Sequence, residues 1–213
     1  MNIIYYIVIA LILTRTPYVG KYFKIFNTLV HEIGHVIMSM LTKGKVYHVH
    51  LNSDASGLAM TGNRGRISGI LVSIAGYPFA SLVALFMLYL KEEGHYNYLL
   101  IGVTVVLVVS VILWVRNAFG VMWLLLAASI SFLFIYYGTD AFVEVYLNIL
   151  IAVMLVESIT TTIELVILTW LDKNNAGDAT NLKNYTGIPA IVWSVMFSVV
   201  SIYLTYKAVL IIY

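Results

Sequence analysis

Four stretches of the sequence each run for at least 20 residues without a charged side chain, and they restrict the possible folds more than any other feature. A helix of about 20 apolar residues crosses the hydrocarbon core of a bilayer. The composition agrees, because 62% of the residues are hydrophobic and 10% are charged, whereas soluble domains carry about 25% charged residues. We therefore predict transmembrane helices at residues 67–90, 96–115, 117–139 and 184–206.

A fifth apolar segment, residues 141–171, is long enough to span a membrane but contains three glutamates. Acidic side chains inside a bilayer are costly and face protein or water rather than lipid. Glu157 and Glu164 lie seven positions apart and therefore share one face of a helix. This face is expected either to line a water path or to form a hydrogen-bonded seam between helices.

Two shorter segments complete the set of predicted helices. Residues 2–14 lack the basic region and the cleavage site of a secreted leader, so they are expected to remain as a signal anchor. Residues 25–42 can span only if His31, Glu32 and His35 are sheltered from lipid. The sequence thus predicts an all-α integral membrane protein that crosses the lipid bilayer with six or seven transmembrane helices.

The connection after the second segment has the pattern of a β-hairpin. Polar and apolar side chains alternate before a turn-rich segment at residues 52–57, which predicts a short hairpin over residues 46–61. His48 and His50 would share one face of that hairpin. They are either ligands of a second metal ion or solvated strand side chains.

Charge and cysteine content exclude several classes of function. The net charge is +2 and the 12 Lys and Arg residues are scattered singly or in pairs, so no surface for nucleic acid is expected. The absence of Cys excludes thiolate metal sites, disulfide scaffolds and Cys nucleophiles. The most polar stretch, residues 172–187, is expected to be a loop and is too short for another domain. Residues 1–213 are therefore predicted to form one membrane-embedded domain.

The most specific pattern is His31-Glu32-Ile33-Gly34-His35, which has the HExxH spacing of zinc peptidases. Residues four apart on a helix lie on one face, so both imidazoles point at one metal ion. Glu32 can then accept a proton from the attacking water, whose pKa the metal lowers toward about 7. The alternative is a pair of hydrogen-bonded core histidines with Glu32 paired to a Lys. Three ionisable residues so close together inside a bilayer favour the metal site.

A catalytic zinc ion needs a third protein ligand as well as an open position for water. The remaining histidines and four carboxylates offer candidates, although spacing alone does not select among them. His95 follows a charged turn and is expected to be an inert surface residue. The candidates are His48, His50, His95, Glu157, Glu164, Asp172 and Asp178.

A series of motifs in a fixed order resembles the M50 metallopeptidases, most closely their M50B-like bacterial branch, which is related to the site-2 proteases. The similarity extends over residues 27–193, and within it HExxH alone is strongly specific. The other motifs are Ser56-Gly57, Ala75-Gly76-Tyr77-Pro78, Arg116-Asn117-x-Phe119-Gly120 and Asp178-Ala179-x-x-Leu182-x-x-x-Thr186-Gly187-x-Pro189.

The resemblance implies an intramembrane zinc metalloprotease of the bacterial cytoplasmic membrane, acting on membrane proteins or peptides. It implies a Zn²⁺ ion held by His31, His35 and Asp178, with Glu32 as the catalytic base. The sequence lacks the Leu-Asp-Gly motif of the better-known site-2 proteases, which keeps Asp172 as the second choice for the third ligand. Asp178 is preferred because it begins the late motif.

Three further features each have two interpretations. Asn117 is either a donor to a carbonyl oxyanion or a helix cap. Gly76, Tyr77 and Pro78 indicate either a local break in a transmembrane helix or close helix packing. The hairpin is either a connecting loop or a strand to which an extended substrate adds.

Two other functions compete with proteolysis. A membrane metal carrier or sensor would use the same histidines together with the Glu157 and Glu164 stripe, and it predicts metal uptake without cleavage. An inactive membrane scaffold of the same fold would keep the structure without the chemistry. The intact order of ligand, base and ligand favours the protease.

Overall fold

The computed structural model describes residues 3–172 and 174–212 of the chain. Within those residues the polypeptide forms eight helices and one antiparallel pair of strands. In chain order they are α1 (Ile3–Arg15), α2 (Gly20–Leu41), β1 (Lys45–Leu51), β2 (Gly57–Gly62), α3 (Arg66–Glu92), α4 (Tyr96–Leu113), α5 (Ala118–Tyr137), α6 (Asp140–Leu171), α7 (Gly177–Thr186) and α8 (Ala190–Ile212).

The helices confirm an all-α membrane protein with a small hairpin. In the described part of the chain, α3, α4, α5, α6 and α8 are each long and apolar enough to cross a bilayer. Helices α1 and α2 meet that criterion only as a pair bent by 107°, so the number of spans is five or six. Pro17 and Tyr18, which has a φ of 63°, lie at this bend. Residue 2, the first of the predicted anchor, lies outside the described residues.

Helix α6 is the centre of the bundle. In the 18-residue apolar stretch that could cross the membrane, 56% of α6 is buried, whereas 17% of the corresponding stretch of α5 is buried. Helices α1, α2, α3 and α8 all pack against α6, and Leu147 and Ile151 are completely buried there. Helices α4, α5 and α8 expose many large apolar side chains. These side chains form a surface suited to contact with lipid.

Helices α2 and α3 approach each other closely because two glycines face the contact. A Cβ atom on Gly34 would overlap Phe79, and one on Gly76 would overlap the ring of His31. Helix α3 is continuous through Pro78. Of the two sequence interpretations of this segment, close packing is therefore the one observed.

The hairpin forms where the alternation predicts it, and the outer edge of β1 is covered. The backbone N–H of Val49 donates to the carbonyl oxygen of Trp114 at 2.8 Å, and the N–H of Arg116 donates to the carbonyl oxygen of Val49 at 3.2 Å. The segment after α4 thus lies alongside β1 and forms an isolated parallel bridge between Val49 and Val115.

The polar stretch at residues 172–187 is mainly helical rather than a loop, which corrects the sequence prediction. Helix α7 begins where Thr180 Oγ1 accepts the N–H of Ala176 at 3.0 Å. It ends at Gly187, whose φ of 79° is left-handed. The backbone N–H of Gly187 donates to the carbonyl oxygen of Lys183 at 2.8 Å. The last span consequently begins at Ala190 instead of residue 184. Only Ala179 and Leu182 are buried on α7, which is too weak a pattern to predict a helix.

Candidate metal centre

Three side chains from two distant parts of the chain converge in the space between α2 and α7. His31 and His35 lie one turn apart on α2, and their Nε2 atoms are 3.0 Å apart. Oδ2 of Asp178, in the first turn of α7, lies 3.2 Å from each of these nitrogens. Among the described residues, these three side chains are a group of at least three His, Asp or Glu side chains whose ligand atoms lie close enough to hold one metal ion.

The separations of the three ligand atoms fit a tetrahedral metal ion. A zinc ion about 2.0–2.1 Å from its ligands places neighbouring tetrahedral ligand atoms roughly 3.3 Å apart. Nδ1 of His35 lies 2.7 Å from the carbonyl oxygen of Val72 on α3, so the proton belongs on Nδ1 and the Nε2 lone pair is free to bind a metal. The donor set of two imidazoles and one carboxylate therefore suits zinc.

Helix α7 is held against α3 by contacts near its C-terminal end. Arg66 Nε donates to the carbonyl oxygen of Tyr185, and Asn63 Nδ2 donates to the Tyr185 hydroxyl at 3.3 Å. A Cβ atom on Gly69 would overlap the Tyr185 ring, so this glycine lets the helix dock. These contacts fix the position from which Asp178 reaches the histidines.

The carboxylate of Asp178 is largely enclosed, with 14% of its side chain exposed. Burial by itself raises the pKa of Asp178. When the imidazoles of His35 and His31 are protonated in the absence of a metal ion, they outweigh that effect through charge and hydrogen bonds, and they hold the pKa of Asp178 well below the usual value of an aspartate. The carboxylate is thus ionised, as a metal ligand must be.

Asp172 lies apart from this group, on the exposed end of α6. Its Oδ1 accepts the backbone N–H of Asn174 at 3.2 Å, and its Oδ2 accepts Nδ2 of Asn175 at 2.6 Å. The hydrogen bond from the Asn175 side chain, followed by that from the Asn174 backbone, lowers the pKa of Asp172. Of the two aspartates that the sequence offers as third ligand, Asp178 is the one that faces the histidine pair.

Glu32 lies beside the three converging side chains and is buried, with 5% of the residue exposed. It sits beneath β2, where a Cβ atom on Gly57 would overlap its carboxylate. The backbone N–H of Ala59 also interacts with this carboxylate. The start of β2 therefore packs directly on Glu32, and the lack of a side chain at Gly57 leaves room for the carboxylate.

A cavity of about 680 Å³ adjoins the site and contains all four of these side chains in its wall. One wall is the free edge of β2, and the other walls come from α2, α3, α6 and α7. The lining residues include Gly57, Leu58, Ala59, Met60, Thr61, Tyr77, Thr161, Glu164, Leu165, Asn181 and Tyr185. An extended peptide can therefore lie along β2 and reach Glu32.

Asn117 does not line the cavity and instead holds the hairpin. Its Oδ1 accepts the backbone N–H of Leu51 at 3.0 Å, and its Nδ2 donates to the carbonyl oxygen of Leu51 at 2.6 Å. The side-chain amide thus completes the cover over the outer edge of β1. Both polar atoms of the Asn117 amide are therefore hydrogen-bonded to Leu51. The structure does not support the interpretation of Asn117 as a donor to a carbonyl oxyanion.

The glutamate stripe on α6 forms ion pairs between helices. Lys24 Nζ lies 3.4 Å from Oε2 of Glu157, which is fully buried, and 3.7 Å from Oε1 of Glu164. Arg15 Nη1 donates to the same Glu164 oxygen at 2.7 Å. Glu164 also lines the cavity, so the stripe both joins α6 to the bent pair of helices and extends to the site.

Sequence reasoning assigned no role to several residues of the site. The ring of Tyr77 packs edge-on against His31 with centroids 4.4 Å apart, and the Val72 carbonyl orients His35. Asn181 and Tyr185 lie three and seven positions after Asp178, on the same face of α7. That spacing would identify them once α7 is known to be a helix.

The remaining histidines lie outside the site. His48 and His50 are on β1, with their rings stacked at 4.3 Å. His95 is exposed in the turn before α4, as expected for a surface residue.

Comparison with known proteins identifies a family along almost the entire chain. The family model described as Peptidase M50B-like matches residues 4–208. No curated protein and no solved structure matches the sequence. The match confirms the resemblance read from the motifs and agrees with an integral membrane protein of a peptidase family. On this ground the chain belongs to the Peptidase M50B-like family.

Proposed function

We propose that the protein is an intramembrane zinc metalloprotease that hydrolyses peptide bonds in membrane-associated proteins or peptides. The observation that carries this proposal is the convergence of His31, His35 and Asp178 beside Glu32, in one cavity within a bundle of membrane helices. We further propose that residues 1–213 act as one membrane-embedded domain in a bacterial cytoplasmic membrane.

Each of the four side chains has a distinct part in the proposed reaction. His31, His35 and Asp178 would hold Zn²⁺, which when bound would polarise the scissile carbonyl and lower the pKa of the attacking water. Glu32 accepts the proton from that water and returns it to the leaving amine. The buried position of Glu32 under β2 keeps its carboxylate directed at the cavity.

The hairpin offers a way to present the substrate. The outer edge of β1 is covered by residues 114–117, whereas the outer edge of β2 lines the cavity. A peptide that adds to β2 is extended, which exposes a scissile bond that an α-helix would keep hydrogen-bonded. We infer that substrates bind as a strand along β2 after local unwinding.

Removing the metal tests the proposal directly. We expect the purified protein in detergent micelles to cleave an unfolded, fluorescein-labelled casein, and 1,10-phenanthroline to abolish this cleavage by removing zinc. Added Zn²⁺ should restore the rate, whereas 1,7-phenanthroline, which does not chelate, should have no effect. A protein that binds zinc stoichiometrically but cleaves nothing would instead favour the carrier or the inactive scaffold.

Replacing Asn117 by Ala tests the role of the hairpin. The change removes both hydrogen bonds to Leu51 and leaves the edge of β1 loosely held. If the looser hairpin lowers the free energy of substrate binding along β2 by about 1.4 kcal/mol, KM for a peptide substrate rises tenfold. We expect kcat to change much less, because Asn117 lies outside the cavity. Steady-state kinetics measure both constants, with the exposed Asn97→Ala as a matched control. A fall in kcat alone would contradict this role.

A further inference from the structure

A second pair of neighbouring histidines lies on the hairpin, outside the site described above. Val49 and Leu51 are 1% and 0% exposed and point into the core. Side chains two apart on a strand share a face, so His48 and His50 lie together on the opposite face of β1. Their rings are stacked, with centroids 4.3 Å apart and planes inclined by 28°.

The two imidazoles have no other polar partner in the described residues. Neither ring is hydrogen-bonded or ion-paired there, and both are partly exposed. Neither histidine lines the cavity beside Glu32. Their ring nitrogens are thus available to a ligand that approaches from outside the bundle.

A sulfur ligand lies on the same face. His48 is directly opposite Met60 in the register of the hairpin, and opposed residues of an antiparallel pair project to the same side. Met60 is 48% exposed, so its thioether is accessible. Two imidazoles and one thioether therefore border the same exposed patch.

We propose that His48 and His50 form a second metal site, which binds a first-row divalent transition ion and prefers Cu²⁺. Imidazole nitrogen is a good ligand for zinc, nickel and copper, and Cu²⁺ binds most tightly in this series. The thioether of Met60 adds a soft donor, which copper also accepts. The rings need only turn about their Cβ–Cγ bonds, a torsion with broad preferences, to direct one nitrogen each at a shared ion.

The two histidines of this site take no part in the proposed proteolysis. They are separate from His31, His35 and Asp178, although Met60 also lies in the wall of the cavity beside that centre. Binding of metal alone therefore tests it, whatever the chemistry at the first centre.

The experiment is a Cu²⁺ titration of the metal-free full chain in detergent micelles, read by calorimetry and by electron paramagnetic resonance. The double variant His31→Ala/His35→Ala serves as the parent, so that copper cannot occupy the first centre. We expect this parent to bind one equivalent of Cu²⁺ with hyperfine coupling to two imidazole nitrogens. Adding His48→Gln and His50→Gln together should remove that equivalent, and either change alone should weaken it by at least about tenfold.

His95→Gln is the matched control, because His95 is exposed but has no second histidine beside it, and it should leave copper binding unchanged. Far-UV circular dichroism checks that each variant is folded. If the combined variant does not fold, the two single variants and the nitrogen coupling of the parent decide the question. Equal copper binding with and without His48 and His50, or a parent spectrum without nitrogen coupling, would overturn the proposal.

Discussion

Glu32→Gln is expected to retain zinc and to lose nearly all proteolytic activity. Glutamine has the same shape as glutamate, so it fits the buried space beneath Gly57 and Ala59. It cannot accept a proton from water, and loss of a general base lowers kcat about 10²–10⁴-fold. The ligand atoms of His31, His35 and Asp178 are unchanged, so zinc should remain stoichiometric.

The measurement combines the cleavage rate of labelled casein in micelles with metal analysis of the same sample. Glu93→Gln, an exposed change at the end of α3, is the matched control and should behave as wild type. Retained cleavage in Glu32→Gln would show that another group activates water. Loss of zinc from Glu32→Gln would mean that Glu32 helps to hold the metal, which the proposed mechanism does not allow.

Asp178→Ala is expected to empty the centre of zinc. The change leaves two imidazoles, and a catalytic zinc site normally has three protein ligands. Loss of residues that merely support a ligand weakens metal binding about 10–100-fold. Loss of a ligand should therefore lower the zinc affinity of this site by more than about 100-fold.

Asp172→Ala is the comparison that makes this result specific. Asp172 is an exposed aspartate whose hydrogen bonds go to Asn174 and Asn175. Its variant should keep both zinc and activity. Metal analysis of the two purified variants separates the aspartates. If Asp172→Ala lost zinc and Asp178→Ala kept it, Asp172 would be the third ligand. If both variants kept zinc, neither aspartate would be a ligand.

The parts of the fold that depend on local sequence were predictable. Hydropathy alone locates α3, α4, α5 and α6, because a bilayer selects each spanning helix for its own apolar length. Alternation locates the hairpin, because the two faces of a strand meet different surroundings. The closeness of His31 to His35 follows from the period of a single helix.

The remaining features depend on contacts between distant segments. Helix α7 carries only two buried side chains, and it is stabilised by docking against α3 through Tyr185. Its approach to α2, which brings Asp178 to the histidines, has no local signal. The ion pairs of Glu157 and Glu164 with Lys24 also join different helices, so the local sequence does not predict them. The partner of Asn117 could not be predicted either, because Leu51 lies 66 positions away in the sequence, on the hairpin.

The order in which the centre is assembled along the chain has a consequence for biosynthesis. His35 and Asp178 are separated by 143 positions (178 − 35), and four spanning helices lie between them in the sequence. A nascent polypeptide that has inserted only α2 and α3 holds two of the three ligand side chains and cannot close the cluster. If the proposed proteolysis takes place, such a chain cannot cleave neighbouring membrane proteins until α7 has left the ribosome and docked. The late arrival of Asp178 would then prevent premature cleavage during insertion.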